Sequence, residues 1–136
     1  AISPDNSSLL GLVSILSPTI AGGNTIVILA SESMPLCSIS FAEVLHTSDI
    51  PSGVVNILTG YREELLDTFS SHMDVNAIIY CGENKDDVKS VEENASLNVK
   101  RTIIFSNEDW EKDTSQGPYH ILKTQETKTI WHPVGA

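Results

Sequence analysis

Basic side chains are scarce in this chain: 8 Lys and Arg stand against 18 Asp and Glu, a formal net charge of −10. A field of that sign repels nucleic acid and anionic membrane surfaces, and it works against anionic ligands unless local groups compensate. Nucleic acid is therefore not an expected partner. Long apolar runs are also missing. The longest, Leu9–Leu16, is interrupted by Gly11 and Ser14, far short of the ~18 residues that span a bilayer, so no membrane span is expected. No charged segment leading into an apolar stretch and a cleavage site stands at the start, which argues against a secretory leader. Cysteine is sparse. Cys37 and Cys81 make no disulfide framework and match no metal-ligand spacing. They read as two reduced, mostly buried thiols in a cytoplasmic protein, with no metal site. The triplets Asn6-Ser7-Ser8 and Asn94-Ala95-Ser96 match a glycosylation acceptor, but without a leader they are expected to be chance.

What remains is ordinary globular material. With 136 residues, 40% hydrophobic and 19% charged, the chain is long enough to bury roughly two-thirds of its unfolded surface. Leu9, Leu12, Val13, Leu16 and Ile20 fall on one face of a helix. Pro18 should kink that helix and Gly22-Gly23 should end it. Thr25–Leu29 is short, β-branched and nearly all apolar, which suits a strand covered on both faces. A second helix follows Pro35, with Cys37, Phe41, Val44 and Leu45 on its inner face. Pro51-Ser52-Gly53 supplies a turn into the strand Val54–Leu58.

The alternation continues through a helix over Glu63–Ser71, a strand over Asn76–Tyr80 and a helix capped by Asn84. That last helix turns Val88, Val91 and Ala95 inward, and the strand Thr102–Phe105 follows it. Strands separated by helices of this length make right-handed βαβ units. The expected fold is therefore α/β, a Rossmann-like parallel sheet with flanking helices over residues 1–106. Residues 107–136 form a different segment: a polar loop, then Tyr119–Lys123 and Thr127–His132 as a C-terminal β-hairpin-like tail. Little room is left before Pro4 for a first strand, so an exposed sheet edge is expected.

Several motifs resemble a known family. Gly23-Asn24-Thr25 leads through the strand to Ser31-Glu32, and Pro51-Ser52-Gly53-Val54-Val55-Asn56-Ile57-Leu58-Thr59-Gly60 follows. This is similar to the GNT-strand-KPSE and PxGVxNxxTG frame of the aldehyde dehydrogenases, whose fold includes an NAD-binding domain. The resemblance places Asn6 on the family's oxyanion Asn, although an Asn ahead of an apolar run is also a good helix cap. It makes Glu32, Gly60, Gly82 and Glu83 the candidate cofactor-binding positions. The departures are as informative. Leu29 stands where the family's ribose-binding Lys would be, and Asp5 replaces a Trp. Arg62 replaces the second Gly of a TGxG turn, and Tyr80-Cys81-Gly82-Glu83 replaces an FTGS turn that meets the pyrophosphate.

Losing one charged hydrogen bond costs about 1.5–3 kcal/mol, and Glu83 adds negative charge beside a dinucleotide that is itself an anion. NAD binding is expected to be weak or absent. Changing Glu83 to Ser together with Leu29 to Lys is expected to improve it. Neither the GQxC nor the ELGGK context that supplies the family's nucleophile and base occurs in the sequence. Covalent catalysis needs thiolate, base and oxyanion donors together.

Thr127-Lys128-Thr129-Ile130-Trp131-His132-Pro133-Val134-Gly135 resembles the closing TKxxWxPxG segment of the degenerate second module of family-16 aldehyde dehydrogenases, and Asp109-Trp110 fits that pattern. The resemblance implies a non-catalytic structural or interaction module, docked on another aldehyde dehydrogenase module or subunit in an oligomer. The rival is a segment of a working NAD-dependent aldehyde oxidoreductase. A third reading is a small-molecule sensor using the residual cleft.

Overall fold

A computed structural model describes residues 1–135. The element order is α1 (Leu10–Ala21), β1 (Ile26–Leu29), α2 (Pro35–His46), β2 (Val55–Leu58), α3 (Arg62–Ser71), β3 (Ala77–Cys81), α4 (Lys85–Ser96) and β4 (Arg101–Phe105). A 3-10 turn (Asp113–Gln116) and a one-turn helix, α5 (His120–Lys123), follow. The α/β architecture and the strand–helix alternation are as the sequence predicts. β1 pairs in parallel with β2, Ile26 opposite Val55, and β3 pairs in parallel with β4, Ala77 opposite Arg101.

These two pairs are joined through residues 1–3. Ile2 bridges Leu29 on one side and Tyr80 on the other, both parallel. Its N–H donates to the Ile79 carbonyl (2.8 Å) and its carbonyl accepts from Cys81 (3.1 Å). The spatial order is thus β2, β1, the Ile2 segment, β3, β4. The expectation of exposed apolar surface before Pro4 holds in part: Ile2 and Ser3 are 1% exposed at the centre of the sheet, whereas Val27 on β1 is 44% exposed.

Side chains alternate across the pleat, so neighbouring residues serve different cores. Ile28, Ile79, Cys81 and Phe105 meet Leu12, Ile15 and Leu16 of α1, with Phe41 and Leu45 of α2 at the border. Leu29, Ile78 and Tyr80 meet Leu66 of α3 and Val91 and Ala95 of α4 on the other face. The helix ends follow local chemistry. Asn84 accepts from the Asp86 N–H at the start of α4, as expected. Gly23, at φ +80°, ends the turn after α1 in a conformation that costs an L side chain energy.

Three local expectations are corrected. α2 buries Ser38 and half-buries Phe41, Ala42 and Leu45, whereas Cys37 is exposed and Val44 is 60% exposed. The helix is rotated away from the predicted face because the edge strand β2 gives it little to cover. The hairpin is also absent from the described residues. His120–Lys123 is helical and residues 124–135 carry no strand; Ala136 lies outside the described residues. A local tie competes with hairpin pairing. The Gln125 amide donates to the Gly22 carbonyl (2.6 Å), and Lys123 sits 4.4 Å over the Phe105 ring. Finally, Asn6 caps nothing: Ser7 Oγ accepts from the Gly11 N–H (3.0 Å), one residue further along.

Candidate functional site

Open parallel sheets hold ligands beyond the carboxyl ends of their strands. In this chain those ends bring Asp5, Asn6, Arg62, Cys81, Gly82, Glu83, Asn107, Glu108 and Trp110 around a cleft of about 180 Å³. Asn6, Gly82 and Glu83 thus come together as the sequence suggests. Glu32 and Gly60 lie beside the cleft and do not line it.

The floor is a closed polar network. Asp5 Oδ1 accepts from the Glu32 N–H (2.7 Å) and from Ser31 Oγ (3.0 Å). Asp5 Oδ2 lies 3.5 Å from Arg62 Nη2, which also reaches the Ser3 carbonyl at 3.4 Å. Glu32 Oε2 in turn accepts from the Arg62 N–H (3.0 Å), tying the first turn of α3 to the end of β1. The Arg62 guanidinium lies 5.5 Å from the Tyr80 ring centroid. Tyr80 is fully buried and its hydroxyl donates to Asp87 Oδ2 at 2.8 Å. Burial, reinforced by that bond, pushes the phenol up to about 12, so it remains a donor at every ordinary pH.

The candidate positions therefore have internal occupations. Glu32 holds the start of α3. A side chain at Gly82 would come within 2.7 Å of the Tyr80 hydroxyl and 3.0 Å of Arg62 Nη1, so this glycine makes room for the network. A Cβ at Gly60 would meet Leu65 at 2.9 Å, which ties that glycine to helix packing. The Glu83 carboxylate faces the side-chain amide of Asn107. Asn6 is exposed at the rim with no side-chain hydrogen bond among the described residues.

Cys81 is 2% exposed, packed with Phe105 and Trp110, and burial pushes its thiol up to about 12. A thiol so held supplies almost no thiolate near neutrality. Leu29 is 1% exposed among Ile2, Leu66, Ile78 and Tyr80. Placing Lys there would put an ammonium among these apolar side chains.

Sequence reasoning missed Asp5 as the hub and Trp110 as a member of the core that holds Cys81. The signal for Asp5 was its substitution pattern: an acid facing an Arg that had itself replaced a Gly. Trp110 gave no comparable signal, because a lone Trp in a polar stretch does not reveal what it covers. No group of three or more His, Cys, Asp and Glu side chains among the described residues is placed to hold a metal ion. No described helix is long and apolar enough to cross a membrane.

Comparison with known proteins agrees with this architecture. The profile of the Aldehyde dehydrogenase family matches residues 1–104. The chain is 33% identical over 104 residues to the NADP/NAD-dependent aldehyde dehydrogenase PuuC of Escherichia coli, covering 76% of this chain and 21% of that protein. It is 38% identical over 85 residues to 2-hydroxymuconic semialdehyde dehydrogenase of a Pseudomonas species, covering 62% and 18%. Among solved structures, the aldehyde dehydrogenase AldC of Pseudomonas syringae, in complex with NAD+ and octanal, superposes with a TM-score of 0.73 at 31% identity. That match covers 77% of this chain and 21% of AldC. The chain thus spans about a fifth of the length of the relatives it matches. On the family profile, the identities and the shared strand–helix frame, the chain belongs to the aldehyde dehydrogenase family.

Proposed function

We propose that this chain is a non-catalytic aldehyde-dehydrogenase-like module, a structural or protein-interaction part of a larger two-module protein. In this reading residues 1–106 are a degenerate dinucleotide-binding unit and residues 107–136 an appended loop and tail. In this reading the chain resembles the degenerate C-terminal module of family-16 aldehyde dehydrogenases and works in the cytoplasm within an oligomer. The observation that carries the proposal is the Asp5–Arg62–Glu32 closure. Among the described residues Arg62 is the one cation lining the cleft; it is already engaged, and Asp5, Glu83 and Glu108 line the same cleft. An incoming pyrophosphate would have to displace Asp5 and then face two further carboxylates, without a free helix-end charge to attract it.

Titration calorimetry with NAD is the direct test. The expected dissociation constant is about millimolar or weaker, corresponding to about −4 kcal/mol. Micromolar binding would overturn the proposal. Incubation with NAD and simple aldehydes should likewise give no NADH above a heat-treated control. The second reading, part of the cofactor domain of an NAD-dependent oxidoreductase acting on aldehydes, is favoured by the likeness to a structure that holds NAD+. Under it, Asp5→Asn should strengthen NAD binding from an already measurable level. Under the first reading, that variant stays at the detection limit.

The tail bears on the oligomer. Ile130, Trp131 and Val134 are 72%, 88% and 96% exposed, an apolar end of the kind that associates. Deleting Thr127–Ala136 is expected to lower the mass measured by light scattering while leaving the melting temperature nearly unchanged. An unchanged mass would place the contact elsewhere.

A further inference from the structure

One side chain of β4 is the meeting point of the segment that follows it. The rings of Trp110 and His120 each lie 5.3 Å from the Phe105 ring, and the Lys123 ammonium lies 4.4 Å from the same ring's centroid. All three belong to residues 108–126, which leave the sheet at Asn107. That residue stands at φ +53°, a left-handed conformation that Asn tolerates. The segment returns across α1. There Ser14, Ile15, Pro18 and Thr19 close on Phe105, His120 and Lys123 around a cavity of about 10 Å³, room for no more than one water. Neutral polar contacts tie it down. Ser14 Oγ lies 3.0 Å from Gln116 Oε1, the Gln125 amide donates to the Gly22 carbonyl (2.6 Å), and the Asn24 amide donates to Thr124 Oγ1 (3.4 Å). Arg101 and Glu126 add an ion pair at 3.6 Å.

His120 and Lys123 are three residues apart on one helical turn, so a proton on the imidazole would set a second cation beside the first, against one ring. Two charged side chains face His120: Lys123 from its own turn and Glu108 from the loop after β4. α1 carries no titratable side chain, and the one charged residue of β4 is Arg101 at its start. Burial first, then Lys123, hold the imidazole below its ordinary 6.5, against the opposing pull of Glu108 and the Ser115 backbone.

We propose that residues 108–126 are an acid-released strap: neutral His120 keeps the strap on Phe105, and a proton taken up by its ring frees the strap from β4. The sign follows from linkage. The closed form binds that proton less well than the open form, so closure is at full strength above the ordinary imidazole value and weakens as pH falls below it. Release takes Glu108 and Trp110 away from the cleft at the carboxyl ends of the strands. Acid therefore opens that cleft, a consequence independent of which ligand the cleft takes.

The test uses the full chain with Trp131→Phe, which leaves Trp110 as its one tryptophan. From pH 8 to pH 5 the acrylamide quenching constant of Trp110 is expected to rise at least about threefold while the far-UV circular dichroism stays unchanged. His120→Phe keeps an aromatic ring against Phe105 without a titrating nitrogen, and His120→Gln keeps a neutral polar group there. Both should hold the low value across the range. In the chain that retains His120, the ring titration followed by NMR should share its midpoint with the quenching curve, a check that needs no substitution at His120. No rise in that chain, an equal rise in either His120 variant, or two separate midpoints would each overturn the proposal. So would loss of the far-UV signal in step with the quenching, which would make the event unfolding of the whole chain.

Discussion

Leu29→Lys is expected to destabilise the chain by several kcal/mol, enough to abolish a urea-unfolding transition that is cooperative in the parent. Leu29 is 1% exposed and sits among Ile2, Leu66, Ile78, Tyr80, Val91 and Ala95. Removing its packing costs about 2–5 kcal/mol, and a buried ammonium adds a desolvation penalty of several more. Net stabilities of domains are only about 5–15 kcal/mol. The volume-conserving Leu29→Met should cost less than about 1.5 kcal/mol, which separates charge from shape. A Lys variant that keeps its melting temperature and gains NAD affinity would show that the side chain reaches a cofactor position. The frame of the sequence suggested that position, whereas the packing assigns it to the core.

The second large effect is expected at Trp110. It is 4% exposed, 5.3 Å from the Phe105 ring, and packs in the same core as Cys81. Trp110→Ala should cost about 3–5 kcal/mol through the cavity it leaves. It should also change thiol chemistry. In the parent chain iodoacetamide should modify Cys37, which is exposed, and leave Cys81, which is buried. In the Trp110→Ala chain Cys81 should become modifiable as well, read by mass spectrometry of the digested protein. Protection of Cys81 in that variant, with stability unchanged, would mean that residues 107–116 do not cover the cleft. Rapid modification of Cys81 in the parent would remove the main objection to it as a nucleophile.

The fold was largely legible in the sequence because its signals are local. The β-branched run at Thr25–Leu29, the Asn84 cap and the inward spacing of Val88, Val91 and Ala95 each report one element, and the structure bears them out. The central segment was not legible. Ala1–Ser3 has no periodicity of its own, and it becomes part of the sheet only because β1 and β3 present two rows of backbone groups to it. The α2 face failed for a related reason. Cys37 and Val44 look like core residues by type, but their burial depends on what lies opposite, and an edge strand offers little.

The candidate site divides in the same way. The sequence by itself determined the family frame, the acidic balance and the replacement of the expected Lys, Trp and Gly by Leu29, Asp5 and Arg62. It did not determine what those replacements do to one another. Only the tertiary structure turned Asp5 and Arg62 into partners 57 residues apart, seated Leu29 in the core and placed Trp110 in the same core as Cys81. Composition and short-range pattern are properties of the chain as written. Ion pairs, burial and thiol acidity are properties of distances between residues far apart in it, and those distances exist only once the sheet has formed.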